Sequence, residues 1–344
     1  MTDVAQPKAG QPRRAEHRSP LAVMTSRQTR MLRTARGEAS AGAREDPEVV
    51  EILLNPDGTL WFDRLDTGRC RSGICLSGED GDRIIRLVAA HLRLEVHPGA
   101  PILSAVLPET GERFEGVLPP IVRGPTFSIR KRTAGVIPLT HYVTDGILTE
   151  GEAQVLVEAV RARQNILIAG GTSTGKTTLA NALLLEIAAT GDRVLMLEDT
   201  VELQCRADDH VSLQTRRGLA SMADLVRSAL RLRPDRIVVG EVRGGEALDL
   251  LKAWGTGHPG GIATLHAGSA RGALTRLEQL IQEVVVTVPR ALIAEAADLI
   301  VFLAGRGRAR RVEELVRVTG FDAQGYHLEP VLPDPTSHRH GHRS

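Results

Sequence analysis

Cysteine, aromatic side chains and net charge are all scarce in this sequence, and each scarcity removes a class of function. Its three cysteines are Cys70, Cys75 and Cys205. Odd in number and scattered, they form neither a disulfide framework nor a four-ligand zinc site. A reducing compartment is expected. Aromatic residues are only 3% of the chain, too few for a platform that stacks successive bases of a single strand. The formal net charge is +1 over 344 residues. Such a balance gives no overall field to draw in nucleic acid, so direct sequence-specific binding to it is not expected. No apolar run approaches the roughly 18 residues needed to span a bilayer, and the first residues lack the apolar stretch of a signal peptide. The expectation is a cytoplasmic protein that meets a membrane only through partners.

What is present is an ordinary globular composition, 42% apolar and 25% charged, with length for about two domains. Residues 1–46 carry nine Lys/Arg against five Asp/Glu without apolar periodicity, which reads as a basic, disordered arm. Residues 47–132 read as a small α+β domain. Two strands flank the turn Asn55-Pro56-Asp57-Gly58. A helix carries Ile84, Ile85, Leu87, Val88 and Leu92, and three more strands follow, the last in "FSIRKR". A linker is expected over 133–140. Across 141–332 strands and helices alternate, the pattern of an α/β domain with a parallel sheet. Strands are "NILIAG", "RVLMLED", "HVSLQT", "RIVVGE" and "GGIATLHA", with two more in "DLIVFLAG" and "RVEELVRVTG". Helices are predicted to start near Thr177, Ser221, Gly245 and Ser269, with Ser221 and Asp224 as a capping pair. The tail, 333–344, is polar and reads as disordered.

One stretch carries chemistry by itself. Gly170, Gly171, Thr172, Ser173, Thr174, Gly175, Lys176 and Thr177 fit G-x-x-x-x-G-K-[ST]. An apolar strand leads in, and a helix with Leu179, Leu183 and Ile187 on one face leads out. The glycines let backbone N–H groups close around phosphate oxygens, and the helix N-terminus adds positive partial charge. Lys176 is expected to reach the β- and γ-phosphates of ATP, and Thr177 to hold Mg²⁺. Thr178 belongs to the same nucleotide-binding set.

Three strand ends add further candidates. Glu198 opens "EDTVE" after one strand, where a carboxylate sits beside the ligand crevice of a parallel sheet. It is the first choice to polarise an attacking water; solvated loop acids are the alternative. Glu241 ends an apolar strand in "GEVRGGEA", the usual place to support Mg²⁺ and the water, or else merely to pair with Arg243. His266 ends "GGIATLHA", where a neutral imidazole can bond to phosphate or to Glu241.

In this order the boxes resemble the secretion ATPase superfamily of type II and type IV systems, and within it the TrbB/VirB11 branch. "NILIAGGTSTGKTTLANALL" and "DLVRSALRLRPDRIVVGEVRGGEALDLLKAWGTGHPGGIATLHAG" carry the likeness. It covers about residues 47–332. Thr200 stands where pilus motors often have proline, and three cysteines cannot build the zinc insert common in the type II branch. The resemblance implies a RecA-like motor domain behind a PAS-like N-terminal domain, and a homo-hexamer. It implies a conjugative type IV secretion system as the setting, with other secretion subunits at the inner membrane as partners. It also implies that N-terminal arginines reach the phosphates, which places Arg113 and Arg130 in the site; a solvated strand-end charge is the alternative for Arg113. A nucleic-acid motor on the same fold and a nucleotide-locked scaffold are the competing functions.

Overall fold

In the N-terminal part, alternation of apolar and polar residues builds a one-sided sheet. The computed structural model describes residues 46, 48–107, 111–131, 135–216 and 218–332. The arm up to residue 45 and the tail at 333–344 lie outside the described residues. Strands β1 (Val49–Leu54), β2 (Thr59–Arg64), β3 (Gly68–Cys75), β4 (Ile102–Val106), β5 (Arg113–Val117) and β6 (Thr126–Arg130) pair antiparallel in the order β3-β2-β1-β6-β5-β4. Ile52, Leu54, Phe114, Phe127 and Ile129 turn to one face. Helix α1 (Gly78–Leu92) covers them with Ile84, Ile85 and Val88, and the Ser77 side chain caps its start. Each such buried side chain contributes about 1.5–3 kcal/mol over the exposed state. The opposite face carries Arg113 and Arg130, directly across from each other in the β5–β6 register.

The second sheet has eight strands: β7 (Ile166–Gly170), β8 (Val194–Glu198), β9 (His210–Gln214), β10 (Arg236–Val239), β11 (Ile262–His266), β12 (Leu299–Ala304), β13 (Arg311–Asp322) and β14 (Gly325–Pro330). Their order is β14-β13-β12-β7-β11-β10-β8-β9. From β12 to β9 all pairs are parallel, and β13 and β14 add an antiparallel hairpin at one edge. Alternate residues of the central strands go to opposite cores. Ile166, Ile168, Val194, Met196 and Val238 face α2 (Leu139–Thr144), α3 (Glu150–Arg161) and α4 (Lys176–Ile187). Leu167, Ala169, Leu195, Leu197, Ile237 and Val239 face α5 (Met222–Ala229), α6 (Glu246–Gly255), α7 (Ala270–Gln282) and α8 (Arg290–Ala296). Ser221 and Asp224 form a reciprocal capping box at the start of α5, as their spacing predicts.

Several elements depart from the sequence reading. The segment read as linker runs into α2 at Leu139. Helix α3, which the reading omits, starts with its own capping box of Thr149 and Glu152. Both pack on α4, so that helix buries Ala180, Ala182 and Leu184 besides Leu179, Leu183 and Ile187, not one face alone. Edge strands β3 and β14 were also unread. β3 has glycines, arginines and half-exposed residues in place of an apolar stripe, so its place comes from pairing with β2.

Polar clasps close the sheet at the amino ends of its strands. Arg236, 1% exposed, donates to Asp192 at 2.6 Å, to the Val160 carbonyl at 2.9 Å and to the Gly260 carbonyl at 3.2 Å. Arg163 and Thr190 also donate to Asp192. All of the chemistry-bearing boxes lie at the other end, beyond the carboxyl ends of β7, β8, β10 and β11.

Candidate nucleotide site

The loop between β7 and α4 is wound by its own sequence. Gly175 caps α4 with φ 93°, a left-handed conformation that disfavours any side chain. Ser173 adopts φ 63° without being glycine, a local strain that surrounding contacts must hold. The Thr174 hydroxyl donates to the Gly171 carbonyl at 3.0 Å. Lys176 folds back into the loop, its Nζ donating to the carbonyls of Gly170 at 3.1 Å and Gly171 at 2.9 Å. It is 8% exposed. Burial pushes its pKa down to about 8; Arg130 and Arg243 act in the same direction, and Glu241 opposes them.

The acidic and histidine boxes converge on this lysine. His266 Nδ1 lies 3.4 Å from Lys176 Nζ, and His266 Nε2 lies 3.1 Å from Glu241 Oε1. Since an ammonium only donates, Nδ1 accepts and Nε2 carries the proton toward the carboxylate. Burial and the nearby Lys176 charge lower the His266 pKa, which favours this neutral ring. Glu241 Oε2 accepts from Arg243 at 2.7 Å. Burial alone would raise the Glu241 pKa, but the Arg243 hydrogen bond and charge, with His266 and Lys176, hold it below the usual range. The turn carrying Glu241 is fixed by β11: Val242 N–H donates to the Thr264 carbonyl at 2.8 Å, and the Thr264 hydroxyl donates to the Gly240 carbonyl at 2.5 Å. Gly240 has a steric reason as well. A Cβ there would stand 3.0 Å from Glu198 Cγ.

Glu198, the first choice to polarise a water, is held by the backbone that follows it. It is 2% exposed, and its Oε1 accepts the backbone N–H groups of Glu202 at 2.8 Å and Leu203 at 2.7 Å. In this geometry it anchors the loop after β8. It still borders a small pocket beside Thr177 and Glu241.

The arginines of the first sheet face this loop. Arg113 and Arg130 line the same cleft, of about 320 Å³, as Lys176, Thr177, Glu241 and His266. Thr172, Ser173, Gly175 and Thr178 complete its loop side, whereas Gly170, Gly171 and Thr174 shape the loop without lining the cleft. Arg113 donates to Glu202 Oε1 at 3.1 Å. Three further residues at the site escaped the sequence reading. Asn181 Nδ2 donates to the Glu202 carbonyl at 3.1 Å and its Oδ1 accepts from Gln204 N–H at 2.8 Å. Its signal was legible: an amide in the otherwise apolar run of α4. Thr264 had no distinguishing spacing, whereas Glu202 stands in the box "EDTVE" as one of its carboxylates. Arg310 packs its guanidinium behind Gly175, 2.8 Å from where a Cβ would be, and lies 135 residues later, beyond any local pattern.

The chain is similar to known proteins over most of its length. A family described as "Type II/IV secretion system protein" matches residues 86–307. The conjugal transfer protein TrbB of Rhizobium radiobacter is 48% identical over 305 residues, covering 88% of this chain and 94% of that protein. The type IV secretion system protein VirB11 of Bartonella quintana is 31% identical over 279 residues, covering 70% and 78%. Among solved structures, the Legionella pneumophila ATPase DotB is 21% identical over 87% of this chain and 82% of that one, with a TM-score of 0.58. The last shares the fold.

Proposed function

This chain belongs to the type II/IV secretion system protein family, and we propose that it is an ATP-hydrolysing motor of conjugal transfer, acting in a type IV secretion system. The observation that carries the reading is the contact chain from Lys176 of the phosphate loop through His266 to Glu241. Three groups from three strand ends meet where the γ-phosphate of a nucleotide seated in that loop would lie.

The roles follow from the geometry. Lys176 and the N–H groups of the loop bind the phosphates. Thr177 and Glu241 are hard oxygen donors on one cleft. Among the described residues no group of three or more His, Cys, Asp or Glu forms a metal cage. That suits Mg²⁺, which needs one or two protein oxygens and takes the rest from phosphate and water. When bound, Mg²⁺ would neutralise charge on the phosphates. Neutral His266 holds the Glu241 carboxylate in place for an attacking water, and Glu198 keeps the adjoining loop in position. Arg113 and Arg130 bring positive charge from the other sheet to the charge that develops on phosphate.

We read residues 47–132 as a PAS-like domain, 133–140 as a linker and 141–332 as a RecA-like domain, with nucleotide bound between the two domains. We read it further as a homo-hexamer that works with other secretion subunits at the cytoplasmic side of the inner membrane. No helix among the described residues is long and apolar enough to cross a membrane.

Glu241→Gln tests the assignment. The amide keeps the shape of the site but loses the charge that holds water and metal. ATP binding should stay near the parent's while turnover falls by about 10²-fold or more. Turnover close to the parent's would remove Glu241 from the chemistry.

A further inference from the structure

Arg113 is engaged by a residue that the nucleotide reading leaves without a task. Glu202 lies in the loop after β8, and its carboxylate accepts from Arg113 Nη1 at 3.1 Å, across the cleft between the two sheets. The loop is tied down on either side of that contact. Glu202 N–H donates to Glu198 Oε1 at 2.8 Å, the Glu202 carbonyl accepts from Asn181 at 3.1 Å, and Gln204 N–H donates to Asn181 at 2.8 Å. A carboxylate so mounted is aimed rather than free to wander. It also answers a local need. Arg113 and Arg130 are directly opposite on neighbouring strands, where like charges repel, and an anion at Arg113 relieves that repulsion.

We infer that Glu202 is a positioning residue: it holds Arg113 at the mouth of the site as an internal stand-in for phosphate, and bound nucleotide must displace it. The inference rests on the nucleotide reading. Glu202 and a nucleotide phosphate would be alternative partners of one guanidinium, and Glu202 lines both the cleft and the small pocket beside it with Arg113 and Thr177. The ion pair is half-exposed, with side-chain exposures of 37% and 30%, so it is weak enough to be exchanged. Its role predicts a sign that a merely structural role does not. Removing the charge of Glu202 releases Arg113 and strengthens binding of a phosphate ligand, whereas loss of a loop support weakens it.

The test is a double-mutant cycle on the full chain, with ADP as the titrated ligand in isothermal calorimetry. Glu202→Gln should bind ADP about 3–5-fold more tightly than the parent, the scale of a partly exposed ion pair. The gain should vanish in an Arg113→Ala background. In steady-state assays the KM for ATP should fall with Glu202→Gln while kcat does not rise. Unchanged or weaker binding by Glu202→Gln overturns the inference. So does an equal gain in both backgrounds, which would mean general charge relief that bypasses Arg113. Glu202→Ala, read the same way, guards against an effect peculiar to the amide. A parent that binds no ADP overturns the nucleotide reading itself, and the inference with it.

Discussion

Lys176 is the residue whose chemistry is most exposed to measurement. Buried in its loop, it titrates at about 8 against the 10.4 or so of a solvated lysine. Between those values the folded chain binds fewer protons than the unfolded one. The cost of burying this charge therefore fades as pH rises through that window. Phosphate oxygens next to Nζ would restore the cation. Nucleotide binding at about pH 8.5 should then take up protons, visible in calorimetry as a binding enthalpy that depends on the buffer's ionisation enthalpy. Lys176→Met should lose that dependence, and a parent without it would contradict the lysine's place at the phosphates. The motif itself was legible from its glycines and its strand-loop-helix setting. Its wiring was not. That His266 joins Lys176 to Glu241 depends on strands adjacent in space but far apart in sequence, and that Glu198 serves the amides of Glu202 and Leu203 depends on the path of the loop after β8.

The central strands were the easiest elements to read, because strands buried on both faces are near-continuous apolar runs. Helix starts at Ser221 and Ser269 were legible from their capping hydroxyls. Short helix α2 and edge strands β3 and β14 were not, since tertiary packing and pairing define them more than periodicity does. The clasp under the sheet belongs to the same class. Asp192, Arg236 and Arg163 come from three segments, and nothing in their spacing announces a shared site. Asp192→Ala should leave Arg236 buried without its carboxylate and destabilise the fold by about 3–5 kcal/mol, measured by urea unfolding. Because the clasp is at the opposite end of the strands from the phosphate loop, ADP affinity of the folded variant should stay near the parent's. A loss below about 1 kcal/mol would show that other donors and acceptors compensate.

At the scale of the whole molecule, two sheets with separate cores meet over a cleft that neither makes alone. The second sheet supplies the phosphate loop and the acids, and the first supplies Arg113 and Arg130. Gly307 packs on the Leu65 carbonyl, and Arg308 pairs with Asp66 at 2.8 Å, a second place where the two parts touch. A motor needs such a divided site, since a change at the phosphate then alters how the halves engage. The family was legible from the order of four boxes; the contacts that join the halves were not, because each is a pairing between residues tens to hundreds apart. We place ATP hydrolysis at this cleft. Its most direct test is steady-state ATP turnover by the purified full chain beside Lys176→Ala, with Mg²⁺ present. The prediction is Mg²⁺-dependent turnover in the parent and background release of phosphate in the variant. A variant that hydrolyses ATP as fast as the parent would contradict it.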